Sequence, residues 1–221
     1  MNPGHAENEA DGWFAGIDVG ARRLHLVGLD PRLGLLKAEV LGAGELGRLP
    51  SLLDGALVAA IDAPDRLSTA PHQWEPGLAP KFRSARCAEI ALGRQFGIWV
   101  PWTTPTGGPV AGWMGVGFRV FEILRGLVRA IETYPHGVFR RLAGGPIPRK
   151  QTAEGRAARI RLLGAAGIDE PSLRPWRHDA LDAAAAALVT HDRHLGRAVP
   201  ATCGHDASAI WLPPAGGRAD S

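Results

Sequence analysis

Four aspartates stand where an apolar run ends or a helix begins, and acids in such places can hold a metal ion. Asp18 closes one apolar run within GIDVG, Asp62 closes another within AIDAP, and Asp179 and Asp182 open an alanine-rich helix three residues apart. Carboxylates fixed on rigid elements can hold Mg2+ or Mn2+, which prefer oxygen ligands in octahedral geometry, and leave positions open for water and phosphate. Each acid also has a plain structural explanation. Asp18 and Asp62 could begin turns before Gly or Pro, Asp179 could cap the helix, and Asp182 could complement the helix dipole. Each of those explanations covers one residue, and none covers the four in their chain order.

Other residues could join this chemistry. Glu132, in ETYP, sits on an apolar strand, where a carboxylate is costly to bury unless paired or metal-bound; it either joins the site, the reading favoured here, or points outward. Arg86 and Glu89, in RCAE, lie one helical turn apart and read either as a surface ion pair or with Arg86 meeting a substrate phosphate. Arg140, Arg141, Arg149, Lys150, Arg156 and Arg159 crowd residues 139–161, and Arg156 and Arg159 share a helical face that is either solvated or turned to a nucleic-acid backbone. His178, just before Asp179, reads as a proton carrier or as an exposed residue. His191 and His194 sit at a helix end, where they suit the dipole and lack a third zinc ligand. Cys87 and Cys203 are far apart with no CxxC pair, so both are expected as reduced thiols, with neither a disulfide nor a zinc site.

Hydrophobic periodicity supplies the elements that must place these residues. Strands are expected at Trp13 to Asp18, His25 to Leu29 and Leu35 to Leu41, the last with Lys37 and Glu39 alternating with apolar neighbours. A helix over Leu46 to Leu53 precedes Leu57 to Ile61, whose unbroken apolar character suits a central strand. Residues 65–80 read as loop, Ser84 to Gln95 as helix, and residues 101–117 as a Pro/Gly/Trp segment that either faces substrate or packs as a connector. An amphipathic helix over Phe118 to Ala130 would bury Phe118, Phe121, Leu124, Leu127 and Val128. A strand over Ala130 to Tyr134, helices over Gly137 to Ala143, Thr152 to Ala166 and Asp179 to His194, and a last strand over Ala209 to Leu212 complete the pattern.

The chain has 221 residues, 45% apolar and 21% charged, the balance of a folded globular protein with one substantial core. One domain over 12–213 is expected, with disordered ends at 1–11 and 214–221. No apolar run approaches the roughly 20 residues of a membrane helix, and the first residues lack the pattern of a signal peptide, so a cytoplasmic location is the default. The net charge is +3, and all cations but Lys37, Lys81 and Lys150 are arginine. That bias suits bidentate phosphate binding, and a GC-rich genome would also produce it.

The succession of a first-strand acid, a second strand acid after a meander and helix, and D-x-x-D opening the last long helix resembles the ribonuclease H-like superfamily, Holliday-junction resolvases in particular. More closely, GIDVG, AIDAP, RCAE, ETYP, HDALDAAAAAL and AIWLP resemble, in order, the predicted-nuclease family known as domain of unknown function 429, from Phe14 to Pro213. The resemblance implies an α/β fold, a mixed five-stranded sheet flanked by helices with a helical insertion and an extra C-terminal strand. It also implies metal ligation by Asp18, Asp62, Asp179 and Asp182, with Glu132 as a further acid. Cleavage of DNA or RNA would then use two ions about 4 Å apart, one activating water and one stabilising the leaving oxygen. A non-catalytic nucleic-acid or protein-binding module on the same fold is the alternative. GIDVG also resembles a sugar-kinase phosphate loop, but no second such loop is present.

Overall fold

The computed structural model describes residues 12–216. The ends expected to be disordered therefore lie largely outside the described residues. Strand β1 (Trp13–Val19) is flanked on one side by β2 (Arg23–Leu29) and then β3 (Leu35–Gly42), all antiparallel, and on the other by parallel β4 (Ala56–Asp62) and β5 (Arg129–Thr133). These five strands form the mixed five-stranded sheet expected above. The extra C-terminal strand is present as β7 (Ile210–Leu212), parallel to β5, and the sheet runs one strand further than expected, because β6 (Val199–Ala201) pairs antiparallel with β7 at the edge, making seven strands. β6 has no counterpart in the sequence reading. It is three residues long and contains Pro200, which an edge strand tolerates because its missing N–H faces outward.

The two-residue period of the strands divides the core into two layers. Ala15, Ile17 and Val19 of β1 and Ala59 and Ile61 of β4 pack with Leu46, Leu49, Val116, Val120 and Leu124 on one face. Val58 and Ala60 of β4 pack on the other face with the alanine-rich helix and its neighbours. Asp18 and Asp62 follow the parity of Gly16 and Ala60, so both point to this second face.

The helices are α1 (Leu49–Leu52), α2 (Cys87–Phe96), α3 (Gly112–Leu124), α4 (Pro135–Ala143), α5 (Ala153–Ala165), α6 (Glu170–Leu173) and α7 (His178–His194). The helix expected over Phe118 to Ala130 instead begins six residues earlier and stops at Leu124. Its buried face is Met114, Val116, Val120 and Leu124, while Leu127, expected in the core, is exposed. Gly126, at φ +79°, turns the chain toward β5.

Helix α7 lies directly on β1. Ala183 to Ala187 are fully buried, and their short side chains let the helix backbone approach the strand. Gly16 completes that contact, since a methyl group on it would overlap the Ala183 carbonyl oxygen and the Ala187 amide nitrogen. Phe14, two residues back, packs against His191 and His194 at the far end of the helix, with ring centroids 5.0 and 5.2 Å away. The helix thus runs antiparallel to β1, and its amino end meets the carboxyl end of the strand, where Asp18 lies.

Gly16→Ala is accordingly expected to cost roughly 1–3 kcal/mol by overpacking. Urea denaturation would measure this, and an unchanged midpoint would show that the helix does not rest on Gly16.

Candidate metal centre

The site forms at the carboxyl ends of β1 and β4, where the chain departs toward opposite halves of the sheet, the usual place for a ligand crevice in an α/β fold. Asp18 and Asp62 are register partners on these neighbouring strands. Asp179 and Asp182 enter from the first turns of α7, and all four aspartates line one cleft of about 960 Å³. The helix cap is Arg177, not Asp179, so Asp179 lies within the first turn with its carboxylate 2.6 Å from the His178 Nδ1.

A further ligand candidate is His25, which stands directly across the hairpin from Asp18. Its Nδ1 is 3.8 Å from Asp18 Oδ2, and one ligand atom each from Asp18, His25 and Asp179 lie within 4.8 Å of one another. A tight hairpin pairs residues equidistant from its turn, so the Gly20 to Arg22 turn was the signal that could have found His25.

Burial and mutual repulsion dominate the electrostatics. Asp182 is 3% exposed, and burial raises its carboxyl to about 6; Lys150 opposes that rise and Asp18 adds to it. Burial, followed by the charges of Asp18 and Asp182, pushes the Asp62 carboxyl well above the usual range. Lys150 Nζ lies 2.7 Å from Asp182 Oδ2, and Arg159 Nε lies 3.9 Å from Asp182 Oδ1. Clustered buried carboxylates of raised proton affinity, opposed by one close ammonium, form an oxygen-rich donor set suited to a hard divalent cation.

The rim differs in character. Arg22, Arg23, Arg149 and Arg177 are exposed and line the cleft. Trp102 and Trp113 also line it, in edge-to-face contact at 5.2 Å, and Trp102 packs on Tyr134 at 4.9 Å. The segment 101–117 thus contributes Pro101 and Trp102 from its loop and Trp113 from α3.

Glu132 is not in this cleft. It pairs in register with Ile61, whose side chain belongs to the α1/α3 face of the core, so the pleat turns Glu132 away from the face that carries Asp62. It is held instead by Arg86, whose Nη1 and Nη2 donate to its two oxygens at 2.7 and 2.6 Å. Arg86 is 1% exposed, and its remaining N–H groups reach Asp65 at 3.1 Å and Glu89 at 3.2 and 3.3 Å. All five guanidinium donors are engaged, so Arg86 is neither a surface ion pair nor open to a phosphate. Burial works against its charge, and the surrounding carboxylates outweigh burial, holding its proton more tightly than usual.

Arg156 and Arg159 of α5 part company. Arg159 is buried beside Asp182 and donates to the Pro148 and Gly155 carbonyls at 3.1 and 2.9 Å. Arg156 is fastened to the carbonyls of Trp176 and Arg174 and does not line the cleft. Arg140 and Arg141 donate to the Gly97 and Pro213 carbonyls, away from the aspartates. The expectation of free thiols also needs correction: Cys87 and Cys203 form a disulfide across 116 residues of sequence. No CxxC spacing announces such a pair, because only the fold brings the two residues together.

An α/β domain with an acidic cleft at its strand ends is the class that this fold and site define. Within it, the family model described as "Protein of unknown function (DUF429)" matches residues 120–205, a stretch that includes ETYP and HDALDAAAAAL. Two solved structures of RuvC from Thermus thermophilus are similar in fold. One is 17% identical and covers 90% of this chain and 98% of its own, with a TM-score of 0.46. The other, RuvC in complex with a Holliday junction substrate, is 18% identical and covers 84% and 96%, with a TM-score of 0.44. No curated protein sequence matches the chain.

Two stability effects follow from these charges. As pH rises above about 4, the unfolded chain loses the protons of Asp62 and Asp182 before the folded chain does, so stability falls with pH, through about 6 for Asp182 and above the usual carboxylate range for Asp62. Asp62→Asn should therefore raise the Tm of the metal-free protein at pH 8 by several degrees, about 1 kcal/mol corresponding to roughly 2–4 °C in a domain of this size. The gain should vanish near pH 4, and calorimetry showing a lower Tm at pH 8 would contradict the account. Arg86→Met, which strands Glu132 and Glu89 in the interior, should cost roughly 3–5 kcal/mol in urea titrations. A loss below about 1 kcal/mol would mean that the cluster is not a buried charge network.

Proposed function

We propose that the protein is a metal-dependent nuclease that hydrolyses phosphodiester bonds of DNA or RNA in the aspartate cleft. The observation that carries this reading is the meeting of Asp18 and Asp62, paired in register, with Asp179 and Asp182 in one cleft. Mg2+ or Mn2+ would be held by Asp18, Asp62, Asp182 and Asp179, with His25 in reach of the Asp18–Asp179 side. Such a cation, when bound, polarises a phosphoryl oxygen and lowers the pKa of bound water.

The protein's own groups supply the rest. Asp18 and Asp62 stand on rigid central strands, which hold their oxygens against mutual repulsion. Arg22, Arg23, Arg149 and Arg177 are placed to receive backbone phosphates along the rim, and Trp102 and Trp113 offer an apolar wall for sugars or unstacked bases. His178, in contact with Asp179 at the helix start, is placed to move a proton at the cleft edge.

Purified protein should cleave one or more of a panel of duplex, single-stranded, hybrid and branched nucleic acids only with Mg2+ or Mn2+. Asp18→Asn should lower the rate by at least about 100-fold, near 3 kcal/mol in barrier height, with an unchanged circular dichroism spectrum. Metal-independent cleavage, or full activity in both the Asp18→Asn and Asp62→Asn variants, would overturn the proposal. Binding without cleavage across the panel would identify a binding module instead.

A further inference from the structure

A second cluster of ligand-type side chains lies apart from the aspartate cleft. His72 comes from the loop after β4, Cys87 is the first residue of α2, and Cys203 and His205 belong to the turn between β6 and β7. One ligand atom from each lies within 4.8 Å of all the others. His72 Nε2 faces both sulfurs, 3.2 Å from Cys203 Sγ and 3.7 Å from Cys87 Sγ. The His72 and His205 rings stand 5.3 Å apart.

We propose that, with its two cysteines reduced, the chain binds one zinc-class cation through His72 Nε2, Cys87 Sγ, Cys203 Sγ and a ring nitrogen of His205. Two thiolates and two imidazoles form a closed tetrahedral donor set for zinc, and in such a set donor atoms lie roughly 3.3–3.8 Å apart. His72 Nε2 already stands near that spacing from both sulfurs, the His205 ring nitrogen lies within 4.8 Å of the other three atoms, and the bonded sulfurs must separate. Binding needs no electron transfer: the two thiols release two protons, and the imidazoles donate lone pairs. The disulfide is the oxidised form of the same residues and excludes the cation, because it uses both sulfurs.

Three features around the cluster support a ligand there. The Glu75 carboxylate lies 2.7 Å from His72 Nδ1 and is itself paired with Arg94. A carboxylate on Nδ1 fixes the tautomer whose Nε2 lone pair points at the sulfurs, as the outer partners of zinc-bound histidines do. Cys87 sits at the amino end of a ten-residue helix, where the dipole favours a thiolate. Gly204 adopts φ +81°, a left-handed conformation that folds Cys203 and His205 toward one point.

With four protein ligands, this would be a structural site. It would tie the His72 loop, the start of α2 and the β6–β7 hairpin together beside Arg86, the residue that precedes Cys87.

The test uses full-length Asp18→Asn protein, so that the aspartate cleft contributes little metal, kept reduced with a phosphine. Elemental analysis should find one zinc per chain. Cobalt substitution should give the sulfur-to-cobalt charge-transfer absorption and the intense visible bands of a tetrahedral thiolate site. Cys203→Ser and the exposed-residue variant His205→Ala should each remove or strongly weaken these bands, and Glu75→Gln should lower zinc affinity roughly 10–100-fold. Two titratable thiols with no bound zinc, no charge-transfer band in the reduced protein, or a disulfide that persists under these conditions would each overturn the proposal. Because the readouts are stoichiometry and spectrum, they stand whether or not the aspartate cleft cleaves nucleic acid.

Discussion

The close approach of α7 to β1 is the contact on which the rest of the structure depends. Gly16 without a side chain, facing Ala183 and Ala187 with the smallest ones, allows a helix backbone to lie on a strand backbone. That contact sets both where the helix begins and what its first turns reach. With the helix antiparallel to β1, Asp179 and Asp182 are delivered to the strand end that carries Asp18, and the parallel pairing of β1 and β4 brings Asp62 alongside. Four carboxylates that repel one another are thus gathered by contacts among small apolar groups. The favourable burial of the alanine helix and central strands offsets the cost of that repulsion.

Two buried charge clusters at neighbouring strand ends solve the problem of desolvated charge differently. Around Arg86, the five N–H donors are matched to carboxylate oxygens from three separate segments, so the network is closed on itself. In the aspartate cleft, the only close ammonium is that of Lys150 among the described residues, and the carboxyls of Asp62 and Asp182 respond by holding protons more strongly. The first arrangement is a brace; the second retains affinity for positive charge.

Much of this was legible in the sequence because it depends on local pattern. The apolar runs ending at Asp18 and Asp62, and the Ala183 to Ala187 stretch, marked the central strands and the helix that lies on them. Glu132 was misplaced because its strand was recognised without its parity: a shift of one residue along β5 decides which face a side chain joins, and Ile61 settles that only once the register is known. The first turns of helix α3, residues 112–117, were hidden by their glycines, which read as loop. Gly117 is required by packing, since a methyl group there would meet the Ala63 side chain. The Cys87–Cys203 pair and the full engagement of Arg86 depend on contacts between distant segments, which no local spacing encodes.

The ion pair between Lys150 and Asp182 gives the cleft a resident positive charge. Loading of the cleft by any cation that needs that Asp182 oxygen is therefore an exchange, in which an ammonium leaves as the newcomer arrives. An exchange changes the local charge by less than an addition does, so its dependence on ionic strength is correspondingly shallow. Such an exchange would also free Lys150, on the segment before α5. A side chain that serves as counter-ion to Asp182 would thereby become a free cation beside whatever anion followed.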